Sequence, residues 1–447
     1  MSSPSPLSPR QVKVNLADYL FRRDIEVRLF MAQLNAREIE VLREIIHHSL
    51  IISIEQLAED MKMEVDTLLP ILDKLSVTKL FKRQQLTLRV DKEMRKYFEN
   101  KLERFDLDFR PDLDFLQIIL SKVPIHILPL WYAIPRSSDN IFESIIEKYF
   151  STPKTYRQYI HELEFEDPVI NAIIQEVHRP PHFRIPVADL MTKLHLTHEL
   201  LEEYLLLLEY YFICCLSYQR IGDQWQEIVT PFAEWKEYLR FEFQTHPRPI
   251  PPELVDKHQQ EEFQLIKDFM TFLQSKKAWL KKNVKISLKT ISKLIQLEFA
   301  MENSRGQLIA TKKGQAWMLK PLFEQVTTLA NDPDNTLSCL DRCSSLWNAR
   351  NLRLIEKSLR RLVPYEWVEF RQFLQGFIAP IGEREPVTLK TQGKKWKYAL
   401  PIYTSQEEQF IQAVIMERLA ELGIVQTGSF QSHPCFCLTS FGQHYIQ

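Results

Sequence analysis

Glycine is scarce in this chain, at 9 of 447 residues, about 2% where about 7% is usual. Loops that cradle phosphate need glycine, because their backbone approaches the ligand closely and adopts positive φ. Only Gly222 precedes Gly306, so no dinucleotide-binding glycine motif or P-loop can be written before residue 306. The pair Gly423 and Gly428 has P-loop spacing but lacks the lysine that should follow. The sequence thus argues against nucleotide-driven chemistry.

Disulfides and membrane spans are not expected either. The 6 cysteines occur in a large chain whose Ser/Pro-rich start, residues 1–9, lacks the pattern of a secretory leader. The longest apolar run, residues 200–216, is interrupted by Glu202, Glu203 and Glu209. We therefore expect a soluble, cytoplasmic protein with reduced thiols and no membrane partner.

Catalytic groupings with a recognisable local pattern are missing as well. Carboxylates are scattered, and no Ser/His/Asp or Cys/His arrangement stands out. The net charge of -1, from 57 basic and 58 acidic residues, names no partner. We expect no enzyme activity, no catalytic residues and no cofactor.

A repeated order of elements dominates what is there. Apolar spacing after Ala36 predicts a helix, a short β-like run, two more helices and a hairpin within about sixty residues. That order is typical of a winged-helix module, in which a β-hairpin wing completes a helix-turn-helix. The pattern returns three times. We predict a mainly α protein with short β-hairpins, built from tandem winged-helix-like modules and one helical connector.

The predicted boundaries follow composition and turn signals. The tail and lead-in helix take residues 1–35, and the clearest joint is the Pro-rich stretch 247–252. The remaining segments are module 1 (36–109), a helical connector (110–167), module 2 (168–246), basic module 3 (253–330) and module 4 (350–447).

Helix caps and a short repeated motif mark the module ends. Capping boxes are predicted at Ser53/Gln56 and Ser405/Glu408, and Gly423 is expected just after a helix. The stretches 311–317 and 439–445 share Thr-x-x-Gly-Gln-x-aromatic, in which the threonine hydroxyl is expected to cap a helix leaving the wing.

The last hundred residues also carry a resemblance. The stretches 359–368 and 419–425, with Leu438-Thr439-x-x-Gly442, resemble the winged-helix accessory region of bacterial XPB-type helicases. No ATPase motor accompanies them here. The resemblance implies a DNA-transaction setting and a non-catalytic, helicase-associated role, and it transfers no active-site residue.

Charge decides which module is expected to meet DNA. The third helices of modules 1, 2 and 4 are acidic, with Glu199, Glu202, Glu203 and Glu209 in module 2 and no basic residue there. Such helices are expected to repel phosphate. Residues 276–320 instead contain eleven basic and two acidic residues, a net +9. The phosphate-binding residues predicted from this excess are Lys281, Lys282, Lys285, Lys289, Lys293, Lys312 and Lys313.

Two further sites can be assembled from the sequence, one for a metal and one for a protein partner. Cys339, Cys343, His433, Cys435 and Cys437 can be written as a zinc site, but alternation along the last strand favours buried thiols, so no metal is predicted. The stretch 130–135 offers Trp131 and Tyr132 as an anchor for a protein partner, although a place in the core of the connector explains these residues better.

We expect association with DNA through module 3 and with an unidentified protein through the acidic modules. The alternative is a protein-protein interaction scaffold that binds no nucleic acid.

Overall fold

The structure is a computed structural model that describes residues 12–135, 140–258, 263–275, 279–280, 288–331, 343–393 and 395–446. The chain is mainly helical, with sheets of two to four strands. It divides into two compact units, one formed by Met1–Phe243 with Thr388–Tyr398 and the other by Gln244–Val387 with Ala399–Gln447. Within the described ranges, no helix has the length and apolar character to cross a membrane.

The first unit holds modules 1 and 2 and the connector. Its helices are Phe21–Met31, Ala36–His47, Ile54–Asp60, Val65–Leu75, Lys92–Leu102, Leu113–Leu120, Leu128–Trp131, Ile141–Ile145, Pro153–Glu162, Pro168–Val177, Val187–Leu194, His198–Tyr210 and Ala233–Gln244, the last of which ends at the unit boundary. Its strands are Ile51–Ser53, Phe81–Gln84, Thr87–Val90, Ile185–Pro186, Cys215–Ile221, Gln224–Thr230, Leu389–Gln392 and Lys395–Tyr398. One apolar core runs through both modules, from Met31 to Val229.

The second unit holds modules 3 and 4, which also share one core, from Leu265 to Ile446. Its helices are Gln264–Gln274, Leu288–Gln296, Lys312–Met318, Leu322–Ala330, Ala349–Ser358, Phe370–Gln375, Ser405–Ala413 with a π-helical continuation Val414–Leu419, and Ser440–Ile446. Its strands are Asp256–Lys257, Trp279–Leu280, Ala300–Glu302, Gln307–Ala310, Val368–Glu369, Val425–Phe430 and His433–Leu438.

The same sheet topology occurs in all four modules. In each, the short strand that follows the first helix pairs antiparallel with the last strand of the hairpin, which lies in the middle of the sheet. The short strand Asp256–Lys257, which the predicted boundaries assign to module 3, adds a fourth strand at the far edge of the module 4 sheet. In module 3 the residues between the short strand and the helix from Leu288 lie outside the described ranges. The repeat predicted from periodicity is therefore present as a repeated strand order.

In every module a left-handed residue lies between the hairpin and the helical segment that precedes it. Lys79, Phe212, Glu298 and Gly423 have φ of 58°, 63°, 61° and 72° and each stands shortly before the first strand of the hairpin. Only one of the four is glycine, although this conformation costs other residues roughly 1 kcal/mol or more. The chain thus turns from helix to hairpin at the same place four times, and the position of Gly423 after its helix was correctly predicted.

The threonine of the repeated Thr-x-x-Gly motif caps each of the two helices that follow the hairpins of modules 3 and 4. The Thr311 hydroxyl accepts a hydrogen bond from Gly314 N at 3.1 Å, and the Thr439 hydroxyl accepts one from Gly442 N at 2.9 Å. A Cβ on Gly314 would lie 2.5 Å from Phe299 O, and one on Gly442 would clash with Ile424 O. Glycine is needed because the helix approaches the strand backbone there, and the predicted capping role is confirmed.

Two predicted capping boxes are wrong. The Ser53 side chain makes no capping hydrogen bond. In module 4 the box is formed one residue earlier, where Glu407 N donates to Thr404 Oγ1 at 3.3 Å and Thr404 N donates to Glu407 Oε2 at 2.7 Å. Thr404/Glu407 and Ser405/Glu408 both fit the capping-box pattern, so the pattern alone does not decide which of the two forms.

The aromatic pair in the connector belongs to the core. Trp131 and Tyr132 are 1% and 0% exposed, and Trp131 Nε1 donates a hydrogen bond to Asp18 Oδ2 at 2.7 Å. Leu130, beside them, is 55% exposed. The anchor hypothesis is therefore wrong for Trp131 and Tyr132, since a partner cannot reach buried rings.

Candidate nucleic-acid interface

The predicted phosphate-binding lysines of module 3 divide into three groups. Lys281, Lys282 and Lys285 lie outside the described residues. Lys289 and Lys293 belong to the helix Leu288–Gln296, where Lys293 is only 7% exposed. A phosphate contact requires an accessible ammonium group, so the burial of Lys293 is at odds with its predicted role.

The last two predicted lysines follow the hairpin of module 3. Lys313 Nζ is paired with Glu298 Oε2 at 2.8 Å, in an exposed ion pair. Lys312 is exposed at the start of the helix Lys312–Met318. Among the predicted lysines whose side chains the structure describes, Lys312 is thus the one that is exposed and forms no ion pair with a described carboxylate.

Two of the four glutamates on the acidic helix of module 2 are buried, while Glu199 and Glu203 are exposed. Glu202 and Glu209 are both 0% exposed. Arg28 Nη2 lies 2.5 Å from Glu209 Oε2, and Arg104 Nη1 lies 2.7 Å from Glu209 Oε1. The expectation that these two glutamates repel phosphate is wrong, because their charges are compensated inside the unit.

This buried network fixes the charge of Glu209. Burial alone would raise the pKa of the carboxyl, but Arg104 and Arg28 hold that pKa well below its ordinary value. Glu209 Oε1 also accepts a hydrogen bond from Leu216 N at 2.9 Å. The network joins the lead-in helix, the turn Glu103–Phe105 at the end of module 1 and the third helix of module 2, so it is structural.

The hairpin of module 1 carries a basic surface that the charge count by module did not single out. Lys82 and Arg89 stand directly opposite each other across the two strands, and both are exposed. Lys79, before the hairpin, is exposed too. Arg83 is paired with Asp73 at 3.2 Å. Among the described residues, no ion pair is recorded for Lys79, Lys82 or Arg89.

A signal for this surface exists in the sequence. Residues 79–96 contain seven basic and two acidic residues. In the hairpin Phe81 and Val90 are buried, while their neighbours Lys82 and Arg89 are exposed, as strand alternation requires. A charge count restricted to the hairpins, rather than to the third helices, would have found it.

A second basic hairpin, Leu389–Tyr398, is inserted into module 4 but belongs to the first unit. Leu389 N donates to Ser151 O at 2.9 Å, and the Tyr398 hydroxyl donates to Phe150 O at 3.1 Å. Lys390 stands opposite Lys397 in the register. Like the hairpin of module 1, it places two cations across from each other.

The cysteines follow the predicted alternation. Cys435 and Cys437 pack with Trp367 and Val255, while Phe436 and Leu438 face the larger core. Cys343 is buried elsewhere, with its sulfur 3.5 Å from Gln406 O. Cys339 lies outside the described residues.

A surface cavity of about 360 Å³ lies beside the hairpin of module 2. Its lining includes Arg179 and Lys193, whose charged groups are both 2.7 Å from a carboxylate oxygen of Glu176. The two cations share this counter-ion, so the cavity is not a ready anion site.

Comparison with known proteins adds no relative. The chain matches no family model, and no curated protein matches it. The resemblance of the C-terminal part to a helicase accessory region stays a prediction, and function has to be argued from the site.

Proposed function

We propose that this chain is a non-catalytic, DNA-associated protein of four winged-helix modules, and that the hairpin of module 1 contacts the phosphate backbone of a duplex. The recurrent strand order and the left-handed residue before each hairpin support the winged-helix assignment. In such modules the hairpin is the wing, and a wing reaches phosphates beside the groove.

The observation that carries the proposal is the pairing of Lys82 with Arg89. Like charges directly opposite each other destabilise a two-stranded ribbon. Both side chains are exposed, and neither forms an ion pair with a carboxylate of the described residues. A polyanion laid along the hairpin removes the repulsion and releases its own condensed counter-ions.

The acidic third helix of module 1 argues for backbone contact rather than base reading. Asp66 and Asp73 are exposed on that helix, and Pro70 interrupts its hydrogen bonding. Base reading would need donors such as Arg or Asn on the helix. We therefore propose that the chain binds duplex DNA with weak sequence preference. Lys312 and the lysines at 281, 282 and 285 are proposed as further phosphate contacts. The acidic surfaces are proposed to bind a protein partner.

A salt titration tests the proposal. The full chain is titrated against a fluorescent duplex of arbitrary sequence by anisotropy, at several salt concentrations. We expect log K to fall linearly with log salt, and K82E/R89E to lower the slope by about 2, near 0.9 for each lost phosphate contact. The affinity at low salt should fall at least about tenfold.

The matched control is R353E/K357E, which makes the same charge change on exposed positions of the helix Ala349–Ser358. It should leave the slope within about 0.5 of wild type. Equal losses in both variants would contradict a site on module 1. Absence of binding at low salt would overturn DNA association and leave the protein-binding scaffold.

A further inference from the structure

Three ligating side chains converge beside the hairpin of module 2. His198 is the first residue of the helix that Thr197 caps, Glu202 follows one turn later, and Glu227 lies on the strand Gln224–Thr230. His198 Nε2 lies 2.9 Å from Glu227 Oε2 and 3.9 Å from Glu202 Oε1. One ligand atom from each residue falls within 4.8 Å of the other two.

The carboxylates leave buried oxygens unpartnered. Glu202 is 0% exposed, and its Oε1 accepts no hydrogen bond. Glu227 Oε1 is also buried without a hydrogen-bond donor. A buried carboxylate oxygen without a hydrogen-bond partner destabilises the folded state. The orphaned Glu202 Oε1 is directed at the imidazole, where a cation bound between the three side chains would satisfy it.

The spacing suits a small divalent cation. Zinc binds histidine nitrogen and carboxylate oxygen at about 2.0–2.2 Å, so two ligands of a tetrahedral ion stand about 3.3 Å apart. The observed separations of 2.9 and 3.9 Å bracket that value. The ligand atoms of Glu202 and Glu227 lie within 4.8 Å of each other.

A neighbouring arginine already orients one of the ligands. Arg28 Nη1 lies 3.3 Å from Glu202 Oε2, on the side of the carboxylate away from His198. Hydrogen-bonded carboxylates of this kind are usual around metal ligands. Arg28 itself stays compensated by Glu209 at 2.5 Å, so a cation on Glu202 does not leave it without a counter-ion.

We propose that His198, Glu202 and Glu227 form a zinc site with three protein ligands and a fourth position open to solvent. The imidazole selects zinc over calcium and magnesium, which prefer sites made only of oxygen ligands. The side chain of His198 is 30% exposed, so an ion can enter from the surface. The inference concerns module 2 and does not depend on DNA association.

Calorimetric titration of the chelator-treated full chain with zinc chloride tests the site. Wild type should bind zinc saturably, and His198→Ala and Glu227→Gln should each weaken that binding at least about tenfold. Calcium chloride should give no saturation in the same range. Circular dichroism establishes that each variant is folded, and zinc should raise the melting temperature of wild type but not of His198→Ala.

Two controls separate this site from others. His161→Ala removes an exposed histidine from the helix Pro153–Glu162 and should bind zinc as wild type does. His48→Ala disrupts a second, more exposed group, Glu44, His48 and Asp60, and should leave the proposed site intact. Absence of zinc binding, or binding that survives in His198→Ala, would overturn the proposal.

Discussion

Arg104 donates a hydrogen bond to Glu209 at 2.7 Å, across 105 residues of sequence. Both side chains are buried, and Arg28 lies on the other oxygen of the same carboxylate. Glu209 thus contacts two guanidinium groups from different parts of the first unit, and Glu202 supplies a second carboxylate to Arg28.

Replacing this glutamate should destabilise the first unit strongly. Glu209→Gln leaves Arg28 and Arg104 without their shared counter-ion in a buried site, and breaking such a pair costs about 3–5 kcal/mol. The measurement is the free energy of unfolding from urea denaturation followed by circular dichroism. Glu203→Gln, an exposed position on the same helix, should change it by less than about 0.5 kcal/mol. Similar losses in both variants would contradict the role of the network.

Glu234 should make stability fall as pH rises. It is 4% exposed, Leu113 N donates to its Oε1 at 3.2 Å, and its Oε2 has no hydrogen-bond partner. Burial raises the pKa of this carboxyl to about 8. The folded state therefore keeps a proton that the unfolded chain loses above about pH 4.5. Stability decreases between these two values, by at most about 1.4 kcal/mol per pH unit.

Glu234→Gln removes that proton equilibrium, so its stability between pH 5 and pH 8 should gain on wild type as pH rises. Thermal melts across this range measure the change. Glu237→Gln, which breaks the partly exposed pair with Arg110, should keep the wild-type slope. If Glu234→Gln shows the same change of stability with pH as wild type, the Glu234 carboxyl of the wild-type protein is ionised in the folded state and the prediction is wrong.

A glycine at His195 should stabilise module 2. His195 follows the helix Val187–Leu194 with φ 53°, ψ 42°, and it is exposed. His195→Gly relieves the left-handed strain, of roughly 1–2 kcal/mol, and loses about 0.5–1 kcal/mol through the freer unfolded chain. We expect the free energy of unfolding from urea denaturation to rise by up to about 1.5 kcal/mol. His161→Gly, inside the last turn of a helix, should instead cost about 1 kcal/mol. A loss in both would contradict the strain argument.

Local sequence predicts local structure well in this chain. Apolar spacing predicts the succession of helices and hairpins, and the repeated Thr-x-x-Gly motif predicts the caps at Thr311 and Thr439. Both features depend on neighbours three or four residues away, so the local sequence specifies them. The predicted capping box of module 4 is one residue too late, because Thr404/Glu407 and Ser405/Glu408 both fit the pattern and the local sequence does not distinguish them.

Charges were predicted less well, because the environment of a charge is set by residues distant in sequence. Glu202 and Glu209 lie on a helix without basic residues, yet Arg28 and Arg104 neutralise them inside the unit. Lys293 belongs to the most basic segment of the chain and is buried. Neither outcome follows from a count of charges along the chain.

The sequence by itself determined the repeated helices and hairpins, the capping threonines and the sides of the last strand, since side-chain period and short-range hydrogen bonds are encoded within a few residues. The tertiary structure decided which charges reach solvent, that Leu389–Tyr398 joins the first unit, and that His198, Glu202 and Glu227 meet. These outcomes depend on the packing of segments up to a few hundred residues apart, and no local pattern specifies that packing.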